Sequence, residues 1–222
     1  MASPSKSALL LLSGGPDSAV MAAWAVEQGY SCRGLFLRLN DDAELQRCAE
    51  AAAAKVNIKL DVIDVTKLTA ALTPPQRNTT IPFFGPVTFW IAASHATNLN
   101  VECVMFGAIE DDGARFEGNL QESFAMLEKM TRMTVKNFQI RLPFIGMKKQ
   151  EVFSAGNKLG VDFKKTISCV RPSGEKHCGN CVPCQARYDA FKSAGILDPT
   201  EYEMLPRGEP VEDKKDDCIG FI

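Results

Sequence analysis

The sequence predicts an α/β protein with a parallel five-stranded sheet, helices on both faces, and a cysteine-rich metal-binding segment near the C-terminus. Four consecutive leucines, Leu9–Leu12, are bounded by polar residues, as in a strand buried on both faces of a parallel sheet. Strand-like and helix-like patterns then alternate, which favours parallel strands joined by crossover helices. Four of the eight cysteines fall within residues 169–184, and such clustering indicates a metal site.

The first turn follows the leucine strand directly and reads Ser13-Gly14-Gly15-Pro16-Asp17-Ser18. The two glycines permit a tight turn and a close approach of the backbone to a ligand. The proline favours the first turn of a helix, where unpaired backbone N–H groups and the positive end of the helix dipole attract an anion. The lysine of a Walker loop and the spacing of a dinucleotide fingerprint are both missing, so the anion site is of another type.

The remaining elements are predicted from apolar periodicity and from the residues that interrupt it. Alanine favours a helix early in the chain, and Gly160 ends the last helix. Residues 66–86 show no clean period and contain several prolines, so a long functional loop is predicted there. This loop, the acidic turn 107–113 and the glycine turn are expected to meet beyond the carboxyl ends of the strands. The further strands are 32–39, 59–65, 101–108 and 138–143, and the further helices are 42–56, 87–98, 119–130 and 148–159.

Composition and charge set limits on the class of protein. The chain has 222 residues, of which 45% are hydrophobic and 23% charged, as in an ordinary globular protein with one α/β domain and a small appendage. Its net charge of −2 argues against a general polyanion-binding surface, so direct binding of nucleic acid is not expected. No apolar run is long enough to cross a bilayer and no signal-peptide pattern is present, so a cytoplasmic location without a membrane partner is expected.

The clustered cysteines have the spacing C-x8-C-x2-C-x2-C, which places successive thiolates around one small centre. Four thiolates in a tetrahedral array suit a structural zinc ion (Zn2+), while an iron–sulfur cluster and a redox pair remain alternatives. His177 is a further candidate ligand, although four sulfurs already complete a site. A closed site of this kind is expected to stabilise the C-terminal segment and to do no chemistry. The predicted ligands are Cys169, Cys178, Cys181 and Cys184, and buried thiols are predicted at Cys32, Cys48 and Cys103.

The glycine turn resembles the SGGxDS loop of the ATP-pyrophosphatase (PP-loop) superfamily. That resemblance implies an adenine-nucleotide α-hydrolase-like fold and cleavage of ATP between its α and β phosphates, with AMP and pyrophosphate as products. The combination of this loop with the four cysteines and Cys184-x-x-Arg187 resembles the pattern of the 7-cyano-7-deazaguanine synthase family of the queuosine pathway. The resemblance covers roughly residues 8 to 195 in the order of elements.

The family resemblance implies an ATP-dependent ligase. Such enzymes convert 7-carboxy-7-deazaguanine to the nitrile with ammonia, through an adenylated acid and an amide. It further implies Mg2+, one structural zinc and often a homodimer. Phosphate and magnesium would be held by Ser13, Gly14, Gly15, Asp17 and Ser18, with Asp17, Ser18 and Lys149 as the catalytic set. A solvated helix start is the alternative for Lys149, and a solvated acidic turn is the alternative for the predicted substrate residues Asp111 and Asp112.

The middle of the chain departs from the family pattern. The family has an Asp-Tyr-Gly-Gln-like run where this chain has residues 37–40, a Pro-Gly-Arg-Asn loop where it has Phe83 and Phe84, and a Tyr-Pro-Asp run near residues 116–118. The two phenylalanines are predicted to line the acceptor pocket, where an aromatic ring can cover a flat or apolar acceptor. The pattern fits a diverged ligase with another acid, another amine or a macromolecular acceptor.

Two further functions are weighed against a small-molecule ligase. A tRNA-modifying thiolase needs a basic footprint and usually a cysteine pair outside the zinc site, and the near-neutral charge argues against it. A non-catalytic partner protein is disfavoured by the intact glycine turn. The predicted divisions are 1–165 for the PP-loop domain, 166–202 for the zinc segment and 203–222 for a charged tail whose apolar end is a candidate docking segment for a protein partner.

Overall fold

The computed structural model describes residues 6–40, 43–72, 84–113 and 120–206. The strands are β1 (Ser7–Leu11), β2 (Ser31–Arg38), β3 (Leu60–Asp64), β4 (Cys103–Met105) and β5 (Gln139–Arg141). The helices are α1 (Pro16–Glu27), α2 (Ala43–Lys55), α3 (Thr66–Leu72), α4 (Phe84–Asn98), α5 (Glu110–Gly113), α6 (Leu120–Arg132), α7 (Lys149–Lys158) and α8 (Val182–Ala194), with a 3-10 turn at Phe163–Lys165.

The five strands form one sheet in the order β3-β2-β1-β4-β5, and all four pairings are parallel. The leucine strand β1 lies at the centre, where Leu9 pairs with Arg33 of β2 on one side and Val104 of β4 on the other. Hydrogen bonding on both edges and burial of both faces explain why this strand is so apolar. The prediction of a parallel five-stranded sheet is confirmed.

Helices cover both faces of the sheet, as predicted. On one face Leu10 and Leu12 pack in a core with residues of α1, α2, α7 and α8, including Phe153 and Phe191. On the other face Leu9 and Leu11 pack with α4 and α6 residues. The alternation of β1 side chains between the two cores follows from the two-residue repeat of a strand. Among the described residues, no helix combines the length and the apolar character needed to cross a bilayer.

The predicted loop over residues 66–86 is wrong at both ends. Residues 66–72 form α3, because Asp64 accepts hydrogen bonds at Oδ1 from the backbone N–H of Thr66 (3.0 Å) and from its hydroxyl (2.7 Å) and so caps the helix start. At the other end α4 already begins at Phe84, since a proline is tolerated in a first helical turn. Residues 73–83 lie outside the described residues.

The fourth strand is shorter than the predicted range 101–108. It pairs with its neighbours over three residues. Gly107 follows it closely, and a Cβ there would lie 3.1 Å from the backbone of Asp17 and of Ser18. This close approach brings the end of β4 against the start of α1. The acidic turn that follows is a single helical turn, α5.

Candidate active site at the carboxyl edge of the sheet

The glycine turn, residues 13–18, lies between α2 and a segment from the C-terminal half of the chain. Gly14 has a φ of +83°, and a Cβ there would lie 3.1 Å from the Cα of Leu45 and closer still to the Leu45 carbonyl oxygen. Its own carbonyl oxygen accepts a hydrogen bond from the N–H of Ile167 at 3.0 Å. Ile167 belongs to residues 163–169, which we call the strap. Only glycine combines this dihedral angle with this proximity.

Two serine hydroxyls fix the shape of the turn. The Ser18 hydroxyl donates to the carbonyl oxygen of Gly15 at 2.9 Å and accepts from the N–H of Ser13 at 3.3 Å. The Ser13 and Ser18 hydroxyl oxygens lie 3.4 Å apart. Helix α1 starts directly after the turn, at Pro16, and the N–H groups of a first helical turn have no acceptor within their helix. The turn therefore offers donors to an anion.

Asp17 and Lys149 meet above the turn. The Lys149 ammonium donates to Asp17 Oδ2 at 2.7 Å, and the two side chains are 18% and 21% exposed. Asp17 Oδ1 is buried and has no hydrogen-bond partner among the described residues. The site thus holds a cation that can turn toward phosphate and a carboxylate oxygen suited to a hard metal ion.

The acidic residues of α5 have structural hydrogen bonds in addition to a place in the cavity wall. Asp111 Oδ2 accepts from the backbone N–H of Lys149 at 3.0 Å and so fixes the start of α7. Asp112 Oδ2 accepts from the N–H of Ile109 at 3.0 Å. Both side chains also line the cavity, and the substrate role predicted for them stays a prediction.

The cavity enclosed by these elements measures about 470 Å³. Its walls come from the glycine turn, α5, the first turn of α7, the strap and α8. Gln150 and Asp189 also line the cavity, and neither could be predicted as a site residue because neither belongs to a motif. Phe83 and residues 116–118 lie outside the described residues, as does the side chain of Phe84.

The four clustered cysteines lie close together, with all four sulfurs within 4.8 Å of one another. The sulfurs of Cys178 and Cys184 are 4.0 Å apart, close to the separation of about 3.8 Å that a tetrahedral zinc site with Zn–S bonds of about 2.3 Å requires. The N–H groups of Arg171 and Cys178 donate to Cys169 Sγ at 3.3 and 3.2 Å. The donor set fits one tetrahedral ion. In an iron–sulfur cluster the thiolates bind to more than one iron atom, so the cysteine sulfurs have to lie farther apart.

His177 lies beside the cysteines but is oriented by another contact. Its Nε2 accepts a hydrogen bond from the backbone N–H of Ser168 at 3.0 Å. Burial lowers the pKa of His177 to about 4, so the ring is neutral and Nδ1 carries the proton. The clustered ligand atoms belong to the four cysteines and do not include this histidine.

Arg187, which entered the sequence analysis only as the end of a Cys-x-x-Arg motif, lies fully buried beneath the strap. Its guanidinium donates to the Thr166 hydroxyl at 2.9 Å, the Phe163 carbonyl at 2.7 Å, the Ser168 hydroxyl at 3.3 Å and the Thr200 hydroxyl at 2.7 Å. Burial lowers the pKa of Arg187, because the charged form loses its hydration. The spacing from Cys184 was the signal that could have identified it.

The other described cysteines lie away from the cavity. Cys48 and Cys103 are buried in the core, and Cys32 is half-buried against it. Burial raises the pKa of both Cys32 and Cys103 to about 11. Their thiols are therefore protonated at neutral pH and poor nucleophiles, and the predicted burial is confirmed for two of the three.

This parallel sheet, with a Ser-Gly-Gly turn between its central strand and the first helix, places the chain in the PP-loop class of fold. Two solved structures share this fold. They are the NH3-dependent NAD synthetase from Campylobacter jejuni (TM-score 0.55, 18% identity, 74% of this chain and 69% of that chain) and the U34-tRNA thiolase from Methanococcus maripaludis with its [4Fe-4S] cluster (TM-score 0.55, 15% identity, 88% and 83%).

Within that class the chain belongs to the family of the queuosine biosynthesis protein QueC, whose family model matches residues 7–195. A relative from Rickettsia akari named 7-cyano-7-deazaguanine synthase is 31% identical in an alignment of 228 positions that covers 89% of this chain and 99% of the relative. A relative of the same name from Thermoplasma acidophilum is 31% identical in an alignment of 224 positions that covers 90% of this chain and 94% of the relative. The family predicted from the glycine turn and the cysteine spacing is confirmed.

Proposed function

We propose that this chain is an ATP-dependent carbon–nitrogen ligase that adenylates a carboxylic acid and passes the acyl group to ammonia or another amine. The acid is 7-carboxy-7-deazaguanine or a related compound, a proposal supported by near-full-length relatives named 7-cyano-7-deazaguanine synthase. The observation that carries it is the Lys149–Asp17 pair above the glycine turn, in a cavity of about 470 Å³. A cation and a helix start converge there on one spot, as polyphosphate binding requires.

In the proposed reaction a carboxylate oxygen of the substrate attacks the α-phosphorus of ATP. The bond between that phosphorus and the oxygen bridging to the β-phosphate breaks, and pyrophosphate leaves. Negative charge builds up on the leaving group, so a preorganised ammonium at Lys149 and the N–H groups of the turn stabilise the transition state. The amine then attacks the acyl carbon and releases AMP.

Asp17 fits a magnesium ligand, because one of its oxygens is buried without a hydrogen-bond partner among the described residues. Bound Mg2+ would neutralise phosphate charge. The four thiolates of the cysteine cluster would hold one Zn2+, whose role is to fix the strap and α8 in place. Four other points stay predictions: a homodimer, a protein partner at residues 203–222, a cytoplasmic location, and the domain boundaries at residues 165 and 202.

The thiolase alternative receives no support from the described cysteines outside the metal cluster. Such an enzyme usually has a catalytic cysteine pair outside the zinc site, whereas Cys32, Cys48 and Cys103 pack in or against the core and do not line the cavity. The pKa of about 11 for Cys32 and Cys103 further reduces their reactivity. We therefore propose no second function.

Product analysis tests the proposal. Purified protein is incubated with ATP, Mg2+, 7-carboxy-7-deazaguanine and ammonium, and nucleotides and pyrophosphate are quantified. AMP and pyrophosphate in equal amounts are expected from the wild type, with Asp17→Asn folded but inactive because a phosphate- or metal-facing charge is lost. ADP with phosphate, or no ATP consumption with any acid tested, contradicts the proposal.

The mass of the organic product tests the acceptor pocket. The sequence departs from the family pattern at Phe83 and Phe84, and a pocket built to hydrogen-bond a polar base discriminates strongly against mismatched groups. We predict that the amide, or an adduct with an amine other than ammonia, accumulates. Efficient conversion to the nitrile would show that the pocket still supports the complete two-step reaction of the relatives.

A further inference from the structure

The strap connects the cysteine cluster to the phosphate-binding turn over a very short distance. Ile167 donates its N–H to the Gly14 carbonyl at 3.0 Å, and Cys169, two residues further on, belongs to the cysteine cluster. On its other side Gly14 is already in close contact with the backbone of Leu45. The turn is therefore held between α2 and the strap, and a shift of the strap cannot leave it unchanged.

Arg187 is the main side-chain anchor of the strap. Three of its four hydrogen-bond acceptors are strap atoms, namely the Phe163 carbonyl and the hydroxyls of Thr166 and Ser168. The fourth, Thr200, lies beyond α8, and the guanidinium also lies 5.3 Å from the ring of Phe191. Its planar fork with five donors can reach separate acceptors at once, which an ammonium cannot do.

Stability alone does not account for this arginine. Among the described residues, the acceptors hydrogen-bonded to its fully buried guanidinium are hydroxyls and a carbonyl, with no carboxylate. A buried charge without a hydrogen-bonded counter-ion carries a large desolvation cost, and a neutral side chain of similar size would avoid it. The interactions that favour its charged form come mainly from Tyr202 and Asp198, and Asp17 in the cavity contributes less.

We propose that Arg187 is a positioning residue for the phosphate-binding turn: by fixing the strap, it sets the position of the Gly14 carbonyl and its neighbouring donors. The inference rests on the proposed use of ATP at this cavity. It assigns Arg187 a role that is separate from metal binding, although α8 carries both Arg187 and the ligand Cys184. Catalysis by donors of fixed position is sensitive to displacements of about 1 Å, which can cost on the order of 100-fold in rate.

Two test variants, their double variant and two controls examine the proposal. Arg187→Lys keeps the charge but loses the planar guanidinium fork. Thr166→Val removes a strap acceptor while Arg187 stays, and Thr166→Ser is its matched control. Val152→Ala, a buried truncation in α7 outside the cavity wall, controls for general loss of stability. Each protein is analysed for metal content, for the exchange rate of the Ile167 amide hydrogen, and for kcat and KM with ATP.

Arg187→Lys and Thr166→Val are expected to keep one metal ion per chain. Their Ile167 amide should exchange about tenfold faster or more, because the hydrogen bond to Gly14 opens more often. Their kcat/KM for ATP should fall about 10- to 100-fold, and the double variant should be little worse than either single one. Thr166→Ser and Val152→Ala should resemble the wild type in both readouts.

Unchanged Ile167 exchange in both Arg187→Lys and Thr166→Val overturns the proposal, and so does faster exchange with wild-type kinetics. If a variant loses its metal together with the protection of the Ile167 amide from exchange, Arg187 acts through the cysteine cluster, and the proposal is also overturned. If Arg187→Lys does not fold, the Thr166 pair gives the same decision. A wild type that consumes no ATP refutes the proposed function instead, while hydrogen exchange still decides whether Arg187 fixes the strap.

Discussion

Replacing Gly14 by alanine is the most direct test of how the glycine turn is built. The substitution adds one methyl group to a residue with a φ of +83°, a conformation that costs an L-residue about 1–2 kcal/mol. The methyl carbon would lie 3.1 Å from both the Cα and the carbonyl carbon of Leu45 and nearer still to its oxygen. Ordinary carbon contacts begin at roughly 3.5 Å, so the turn or α2 has to move by about 1 Å.

A displacement of about 1 Å at a catalytic turn can reduce the rate on the order of 100-fold. Gly14→Ala is therefore expected to lower the free energy of unfolding by more than the dihedral penalty alone, which is about 1–2 kcal/mol. It should also lower kcat/KM for ATP by about two orders of magnitude. Gly29→Ala provides the matched control, because Gly29 has a φ of +78° but no atom within 4 Å of its added Cβ. It lies beyond the far end of α1, a 12-residue helix.

The assays are thermal unfolding and pyrophosphate release at varied ATP concentration. Both variants should lose stability, but only Gly14→Ala should lose activity. Equal stability losses with wild-type kcat/KM in both would refute the reasoning, because they would show that the contact with Leu45 does not fix the turn. A matching loss of activity in Gly29→Ala would show that the effect is global and not local to the phosphate site.

Three further predictions concern single side chains. Cys181→Ser should lose the bound metal and lower the unfolding temperature, since structural zinc contributes to folding; full metal occupancy would contradict this. Lys149→Met should fold normally but lose about 10²- to 10³-fold in kcat/KM for ATP, because an ammonium 2.7 Å from Asp17 stabilises phosphate charge; activity near the wild type would remove it from the catalytic set. The Arg33 guanidinium holds the pKa of Asp61 below its ordinary value of 3.8, so this pair stabilises the fold above about pH 4 and its contribution is lost as the pH falls below that value. Asp61→Asn should therefore lower the free energy of unfolding at neutral pH, and the difference in this free energy between variant and wild type should become smaller at low pH. A difference that stays constant across this pH range would contradict the prediction.

Local signals explain what the sequence could predict. The leucine run needs burial on both faces, and the Ser-Gly-Gly turn needs a positive φ at Gly14, so both specify their structure within a few residues. The cysteine spacing similarly specifies a four-sulfur centre. Helix α3 escaped prediction because its start depends on a cap at Asp64, and because the prolines that suggested a loop lie beyond its end.

The rest of the candidate site depends on contacts between distant parts of the chain. Lys149 and Asp17 are 132 residues apart, and family resemblance, not local pattern, brought Lys149 into the prediction. Asp111 was predicted near a substrate, but its hydrogen bond to the Lys149 backbone could not be inferred from an acidic turn alone. Gln150 and Asp189 line the cavity only because α7 and α8 pack side by side. No periodicity or spacing in the sequence encodes that arrangement.

The cysteine segment illustrates why a motif can predict which side chains cluster and still leave their surroundings unpredicted. Its spacing predicted a closed site that stabilises the C-terminal segment and takes no part in the chemistry. The structure adds that Cys169 lines the cavity beside Ser168, and that Ile167 is hydrogen-bonded to the glycine turn. Since a fixed Cys169 would limit how far its neighbours can move, a metal ion at the cluster would restrain the wall of the cavity. Bound metal would then support ATP use through the strap without contacting the nucleotide, in the same way that outer contacts of a catalytic site fix the groups that touch the substrate.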